Sequence, residues 1–121
     1  MKTTAEFEVL DDLIVDAIQD IKGKNIVKLD LTSLDDSSTN TFIICEGEST
    51  TQVNAIANNI KRRVKAEWDL MSFHSEGMDE SKWILIDYFD TVVHVFYPET
   101  RAFYDIEDLW SDAEVTEYQN I

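Results

Sequence analysis

The chain has 121 residues, of which 44% are hydrophobic, and this length is enough to bury one core in a single globular domain. Its 25 acidic and 10 basic residues give a formal charge of −15, so we expect little direct RNA contact, because nucleic-acid affinity comes largely from lysine and arginine displacing counterions. The sequence shows no apolar run near the roughly 20 residues of a membrane span, no signal-peptide pattern and a single cysteine, Cys45, so we expect a cytoplasmic protein with no membrane contact and no internal disulfide.

Residues 4–22 form the first predicted helix. Thr3 and Glu6 fit a capping box at its start, and Gly23 is a natural stop. Apolar residues recur there at the i, i+3, i+4 spacing of one buried face, namely Leu10, Leu13, Ile14, Ala17, Ile18 and Ile21.

A second helix is predicted near residues 50–67, with Ser49 and Gln52 as its capping box. Its core face carries Val53, Ile56, Ala57, Ile60 and Val64. Its last turns carry the chain's basic cluster, Lys61, Arg62, Arg63 and Lys65. We interpret this cluster as cations that complement the helix dipole rather than as an RNA-binding site, given the overall negative charge.

Short strands are predicted on either side of the second helix. Residues 26–31 form one strand, and residues 32–40 form a polar loop. The continuous apolar run within residues 41–45 is typical of a central strand that is buried on both faces. Residues 70–75 can form a further short strand.

The best hairpin signal lies near the C-terminal end, where residues 82–87 and 91–97 form two strands joined by a short turn. Pro98 ends the second strand. Residues 99–110 are predicted as a third helix, anchored in the core by Phe103, Ile106, Leu109 and Trp110. Residues 111–121 are acidic and weakly patterned, so we expect a domain over residues 1–110 followed by a loose acidic tail.

The predicted order is helix, two strands, helix, three strands, helix. This order indicates an α/β single-domain sandwich with a five-stranded sheet and about three helices. The helix between the second and third strands favours a parallel crossover, and the hairpin adds antiparallel pairing, so the sheet should be mixed.

Catalytic motifs are weak. Cys45, His74 and His94 lack zinc-ligand spacing, and the three scattered glycines cannot form a phosphate-binding loop. Asp87 and Asp90 could hold Mg²⁺ for nucleotidyl transfer, but they are three residues apart across a turn, so their side chains need not share a face. A nucleotidyltransferase-like enzyme therefore stays the less favoured alternative, and we expect no cofactor and no metal.

Alternation sorts the hairpin into two faces. One face is purely apolar and should be core, with Ile84, Ile86, Val93 and Val95. The other mixes large apolar and ionisable groups, with Trp83, Leu85 and Asp87 on the first strand and Val92, His94 and Phe96 on the second. For Trp83, a half-buried structural role and a partner-binding role are equally good interpretations. For His94 we favour a histidine that is hydrogen-bonded inside the fold.

Three separated blocks resemble the ribosomal silencing factor family, also called the Iojap family. The first runs from Phe42 to Ser49 and continues with Gln52-Val53 and Ala55-Ile56-Ala57. The second is Glu76-Gly77 followed by Trp83 through Phe96, and the third is Arg101, Tyr104, Glu107 and Leu109-Trp110. Glu48 departs from the small or hydroxyl residue that is usual after the glycine of the first block.

The resemblance implies a nucleotidyltransferase-like fold without enzyme activity. It implies a partner, the large ribosomal subunit, bound through the basic ribosomal protein L-fourteen. It further implies that the bound factor blocks joining of the small subunit and represses translation when nutrients are short, and that the protein can form a homodimer. We expect the partner-binding residues to be Trp83, Asp87, Asp90, Arg101, Tyr104 and Glu107, whereas Phe103, Ile106 and Leu109 should support folding.

Two further interpretations of the charge stay open at this point. The acidity can steer a basic protein partner, because opposite potentials accelerate encounter and set register. It can also serve solubility alone, which is the simpler interpretation of charge by itself. An acidic adaptor protein that acts outside the ribosome is a further alternative. It would attract a basic partner in the same way and would differ from a silencing factor only in which partner it binds.

Overall fold

The computed structural model describes residues 9–32, 34 and 39–121, which form one mixed sheet with helices on its two faces. The helices are α1 (Leu10–Asp20), α2 (Thr50–Trp68), α3 (Pro98–Tyr104) and α4 (Ile106–Leu109). The strands are β1 (Lys24–Asp30), β2 (Thr41–Glu46), β3 (His74–Glu76), β4 (Trp83–Asp87), β5 (Thr91–Phe96) and β6 (Glu114–Glu117). No helix in the described part of the chain is both long and apolar enough to cross a membrane.

The sheet order is β3-β4-β5-β2-β1-β6. β2 and β5 run parallel, with Ile43 opposite Val93, while the other neighbouring strands are antiparallel. The predicted mixed α/β sandwich is therefore confirmed, including the parallel crossover through α2. The sheet has six strands, not the predicted five.

The sixth strand corrects the prediction of a loose tail over residues 111–121. Glu114–Glu117 pairs antiparallel with β1, with Val115 opposite Leu29, and the Tyr118 amide donates to the Ile26 carbonyl at 3.0 Å. Periodicity could not reveal this strand, because all four of its side chains are exposed. Backbone pairing with β1, and not burial of a side-chain face, holds it in place.

The third helix is also different from its prediction. Asp105 lies between α3 and α4 with a left-handed φ of 43°, and its amide donates to the Arg101 carbonyl at 2.9 Å. This break changes the phase of the helical pattern. Ile106 is buried and Trp110 half-buried as expected, but Phe103 and Leu109 are 80% and 75% exposed, so the core roles predicted for these two residues are wrong.

The two faces of the sheet carry separate apolar clusters. α1 and α2 cover one face, where the alternate hairpin residues Ile84, Ile86, Val93 and Val95 are fully buried as predicted. The opposite face packs Ile44 and Phe96 against Ile106, Trp110 and Ala113 from the C-terminal segment. This second cover is smaller, and Trp83 and Leu85 on β4 stay half-buried beside it.

Arg63 gives the basic cluster of α2 a structural role. Its guanidinium binds Asp16 at 2.6 Å and Asp20 at 2.9 Å on α1, and Glu67 at 2.8 Å on its own helix. The hydrogen bond with Glu67, followed by those with Asp16 and Asp20, raises the pKa of Arg63 above its ordinary value against the effect of burial. The arginine therefore joins the two helices, in addition to any effect on the helix dipole.

The start of α2 follows its predicted capping box. The Ser49 hydroxyl accepts a hydrogen bond from the Gln52 amide at 3.0 Å, and the Gln52 side chain accepts one from the Glu48 amide at 2.6 Å. The capping box predicted for α1 at Thr3 and Glu6 lies outside the described residues. In the structure α1 begins after Val9.

We expect Ser49→Ala to lower the free energy of unfolding by about 1 kcal/mol, because it removes the acceptor for one amide of the first turn. Urea denaturation followed by circular dichroism would measure this loss. Thr51→Ala, at an exposed site in the same turn, is the matched control and should change stability by less than about 0.5 kcal/mol. Equal effects of the two substitutions would contradict the capping role.

Candidate functional site

Trp83 and Tyr104 form the centre of an aromatic surface at one end of the hairpin. Trp83 opens β4, and its ring lies 4.9 Å from the Phe96 ring and 5.0 Å from the Tyr104 ring, measured between centroids. Phe103 continues this surface, with its ring 4.9 Å from that of Tyr104. Tyr104 is 53% exposed. We call these three residues, Trp83, Phe103 and Tyr104, the Trp83 patch.

His94 fixes the orientation of Trp83 from inside the sheet. The indole Nε1–H of Trp83 donates to His94 Nδ1 at 3.1 Å, so Nδ1 is the unprotonated nitrogen of the ring. The imidazole is 4% exposed and lies edge-on to Phe42, with the ring centroids 4.6 Å apart. Burial lowers the pKa of His94 from 6.5 to about 4, which keeps the ring neutral. The predicted internal, hydrogen-bonded His94 is confirmed.

Arg101 and Glu107 bind each other. The Arg101 guanidinium makes two hydrogen bonds to the Glu107 carboxylate at 3.0 Å, one to Glu46 at 3.1 Å and one to the Asn25 carbonyl at 2.7 Å. Burial alone would lower the pKa of Arg101, but Glu107 and then Glu46 outweigh it and hold that pKa above its ordinary value. These two residues fasten α3 and α4 to the start of β1 and the end of β2.

Asp87 and Asp90 lie at the other end of the hairpin. Trp83 pairs with Phe96 and Asp87 pairs with Val92, so the two ends of β4 are roughly 13 Å apart along the strand. The Asp87 carboxylate accepts from the Phe89 amide at 2.7 Å, which closes the turn. The structure therefore does not bring the six predicted residues into one cluster. It separates them into the Trp83–Tyr104 pair, the Arg101–Glu107 pair and the two turn aspartates.

Metal and thiol chemistry find little support in this arrangement. Among the described residues, no three or more histidine, cysteine, aspartate or glutamate side chains converge as a metal site would require. Asp87 uses its carboxylate to cap the turn. Burial raises the pKa of the Cys45 thiol to about 12, so this cysteine stays protonated and unreactive.

Comparison with known proteins places this geometry in one family. The profile described as "Ribosomal silencing factor during starvation" matches residues 4–121. A Chromobacterium violaceum protein named ribosomal silencing factor RsfS is 41% identical over 106 residues, which cover 87% of this chain and 84% of that protein. The chain belongs to the ribosomal silencing factor family.

A solved structure and a distant relative extend this result. A crystal structure of a Chromobacterium violaceum protein superposes with a TM-score of 0.80 at 40% identity, covering 84% of this chain and 83% of that one. A mouse protein named "Mitochondrial assembly of ribosomal large subunit protein 1" is 26% identical over 110 residues, covering 88% of this chain and 46% of that protein. The silencing-factor match includes residues 111–121, where β6 completes the sheet.

Sequence patterns missed some exposed aromatics of this silencing factor. Phe103 was assigned to the core by helical periodicity, and the break at Asp105 instead leaves it beside Tyr104. Phe73 and Phe89 are 75% and 69% exposed, and their rings lie 6.2 Å apart next to the Asp87–Asp90 turn. An available signal was Phe89 itself, because a large apolar residue in a tight hairpin turn has little chance of burial.

Proposed function

We propose that this protein binds the large ribosomal subunit through the basic ribosomal protein L-fourteen and sterically blocks joining of the small subunit. This block represses translation under nutrient limitation. Membership of the silencing factor family supports a regulatory role at the ribosome, and no feature of the described residues favours an enzyme. The name of the mouse relative connects that protein with the large subunit.

The observation that carries the proposal is the Trp83 patch on an acidic background. Buried aromatic anchors rimmed by charge are typical of protein interfaces. Between residues 99 and 117 the single basic residue is Arg101, which is already paired, whereas the acidic residues are Glu99, Asp105, Glu107, Asp108, Asp112, Glu114 and Glu117. This segment includes Phe103 and Tyr104, so the surface suits a basic protein better than RNA.

The six predicted partner-binding residues take different roles in this proposal. Trp83 and Tyr104 contact the partner directly. Arg101 and Glu107 act by holding α3 in place. Asp87 and Asp90 supply a second, electrostatic contact at the far end of the hairpin. The protein acts in the cytoplasm, as its single cysteine favours, and it can self-associate, as the family resemblance implies.

Sucrose-gradient sedimentation tests the proposal. Purified large subunits are mixed with the protein, and small subunits are then added at a magnesium concentration that supports joining. We expect the protein to sediment with the large subunit and the whole-ribosome peak to shrink. If the protein stays at the top of the gradient and joining is unchanged, the proposed function is wrong.

Trp83→Ala should weaken binding to isolated L-fourteen by roughly 30-fold, because truncating a central aromatic anchor often costs about 2 kcal/mol. Met71→Ala is the control, since it removes a large apolar side chain that is 68% exposed and belongs neither to the Trp83 patch nor to the Asp87–Asp90 turn. Surface plasmon resonance on variants with parent-like circular dichroism measures both. Equal affinity of the parent and Trp83→Ala would contradict the role of the patch.

A further inference from the structure

An open cavity of about 440 Å³ lies against the Trp83 patch. Trp83 and Tyr104 form its aromatic wall, with their ring planes at 47° to each other. Asp79 and Glu80, on the loop between β3 and β4, also line the cavity, and so does Lys82. The cavity thus joins two aromatic rings with two carboxylates.

The loop that carries these acids is fixed in place. Gly77 has a φ of 92°, and a Cβ there would lie 2.0 Å from the Trp83 carbonyl oxygen, so only glycine allows this close approach. The Ser81 amide closes the loop by donating to the Gly77 carbonyl at 2.9 Å. Asn54 on α2 donates to the Ser81 hydroxyl at 3.1 Å. The loop is therefore a rigid wall of the cavity.

The two carboxylates are available for a ligand. Asp79 and Glu80 are exposed, and neither makes an ion pair or hydrogen bond with any residue that the structure describes. By contrast, the carboxylates of Glu46 and Glu107 are both paired with Arg101. The ammonium of Lys82 also has no carboxylate partner among the described residues, so it opposes a cation in the cavity.

We propose that this cavity binds one arginine side chain of the basic partner protein, with the guanidinium stacked on the Trp83 and Tyr104 rings and its N–H groups directed at Asp79 and Glu80. A guanidinium is planar and weakly hydrated, and it can stack on an aromatic face while its edge donates to carboxylates. A lysine ammonium is compact and strongly hydrated, and it fits the aromatic corner less well.

This inference deepens the proposed function and rests on it for the identity of the partner, but it can be tested without a ribosome. In the ¹⁵N-labelled full chain, the indole resonances of Trp68, Trp83 and Trp110 are three separate probes. N-acetyl-arginine amide should shift the Trp83 resonance saturably and leave Trp68 and Trp110 unchanged. N-acetyl-lysine amide should bind about threefold more weakly, and the neutral N-acetyl-citrulline amide should give no saturable shift.

Variants separate this site from general charge effects. Asp79→Asn combined with Glu80→Gln should weaken arginine binding about fivefold, whereas the control Asp112→Asn, which neutralises an exposed acid outside the cavity, should not change it. Lys82→Gln should strengthen binding about twofold, because it removes a like charge. A Trp83 resonance that does not saturate with arginine, responds equally to lysine or citrulline, or ignores the double substitution would overturn the proposal.

The sucrose-gradient experiment and the arginine titration together distinguish the proposed function from the proposed arginine site. Large-subunit binding with a Trp83 resonance that is silent to arginine would overturn the arginine site and leave the proposed function standing. Saturable arginine binding by a protein that does not sediment with large subunits would overturn the proposed function and leave the site standing.

Discussion

Replacing Arg101 with methionine should lower the free energy of unfolding by about 3 kcal/mol, since it leaves partly buried carboxylates without their cation. The Arg101 side chain is 12% exposed, and those of Glu46 and Glu107 are 18% and 33% exposed. Their partial exposure places the expected cost at the lower end of the range for breaking a buried ion pair. Urea denaturation at neutral pH measures this loss.

Two further variants make the Arg101 result specific. Lys65→Met breaks an ion pair in which both side chains are largely exposed, and it should cost less than about 1 kcal/mol. Adding Glu107→Gln to Arg101→Met should recover part of the lost stability, because one uncompensated carboxylate becomes neutral. Equal losses for Arg101→Met and Lys65→Met would show that the Arg101 network is an ordinary surface contact.

The sequence predicted best those elements whose side chains carry a period. α1, α2 and the hairpin each bury a regular apolar face, so spacing alone located α2 and the two hairpin strands within one residue and the end of α1 within two. The start of α1 was predicted too early, because the helix begins at Leu10. The parallel β2–β5 pair followed from the helix between the two strands. In these elements the hydrophobic pattern of the sequence reflects the burial of an apolar face, which is also what determines the packing.

The sequence failed where backbone geometry decides the structure. β6 is held by amide pairing with β1 and buries no face, so it has no apolar period. The left-handed Asp105 interrupts a helical pattern that looked continuous, and Phe103 consequently points to solvent instead of the core. Neither feature has a signal in composition or hydropathy.

The candidate site was also predicted only in part. Trp83 and Tyr104 were both predicted to bind a partner, and the structure brings their rings together. Arg101 and Glu107 were predicted in the same role, but their side chains are hydrogen-bonded to each other. The cavity beside Trp83 depends on the positive φ of Gly77 and on a loop that Asn54 holds, and such long-range contacts cannot be inferred from residue spacing.

Acidification should destabilise this protein through His94. Burial lowers the pKa of His94 in the folded protein to about 4, whereas its ordinary value is 6.5. Between these two values the unfolded chain binds the proton and the folded protein does not. The free energy of unfolding therefore falls as the pH falls through this window, by about 2 kcal/mol at pH 5 and about 3 kcal/mol at pH 4 from this residue alone.

Protonation of His94 also acts on the Trp83 patch. The neutral ring accepts the indole hydrogen bond of Trp83 through Nδ1. A protonated imidazole carries hydrogens on both nitrogens, so the Nδ1–H of His94 would then point at the indole N–H of Trp83, and neither group could accept the hydrogen bond. Loss of this contact removes the hydrogen bond that orients Trp83, and we expect the tryptophan fluorescence to change together with stability.

A comparison of variants isolates this effect from the titration of the many carboxylates. The pH profile of unfolding free energy is measured from pH 7 to pH 4 for the parent and for His94→Leu. His94→Leu keeps an apolar side chain in the buried site but cannot titrate, so its profile should fall by about 3 kcal/mol less than that of the parent. Parallel profiles for the parent and His94→Leu would show that His94 does not titrate differently in the folded and unfolded states, and that the hydrogen bond to Trp83 has no pH dependence of its own.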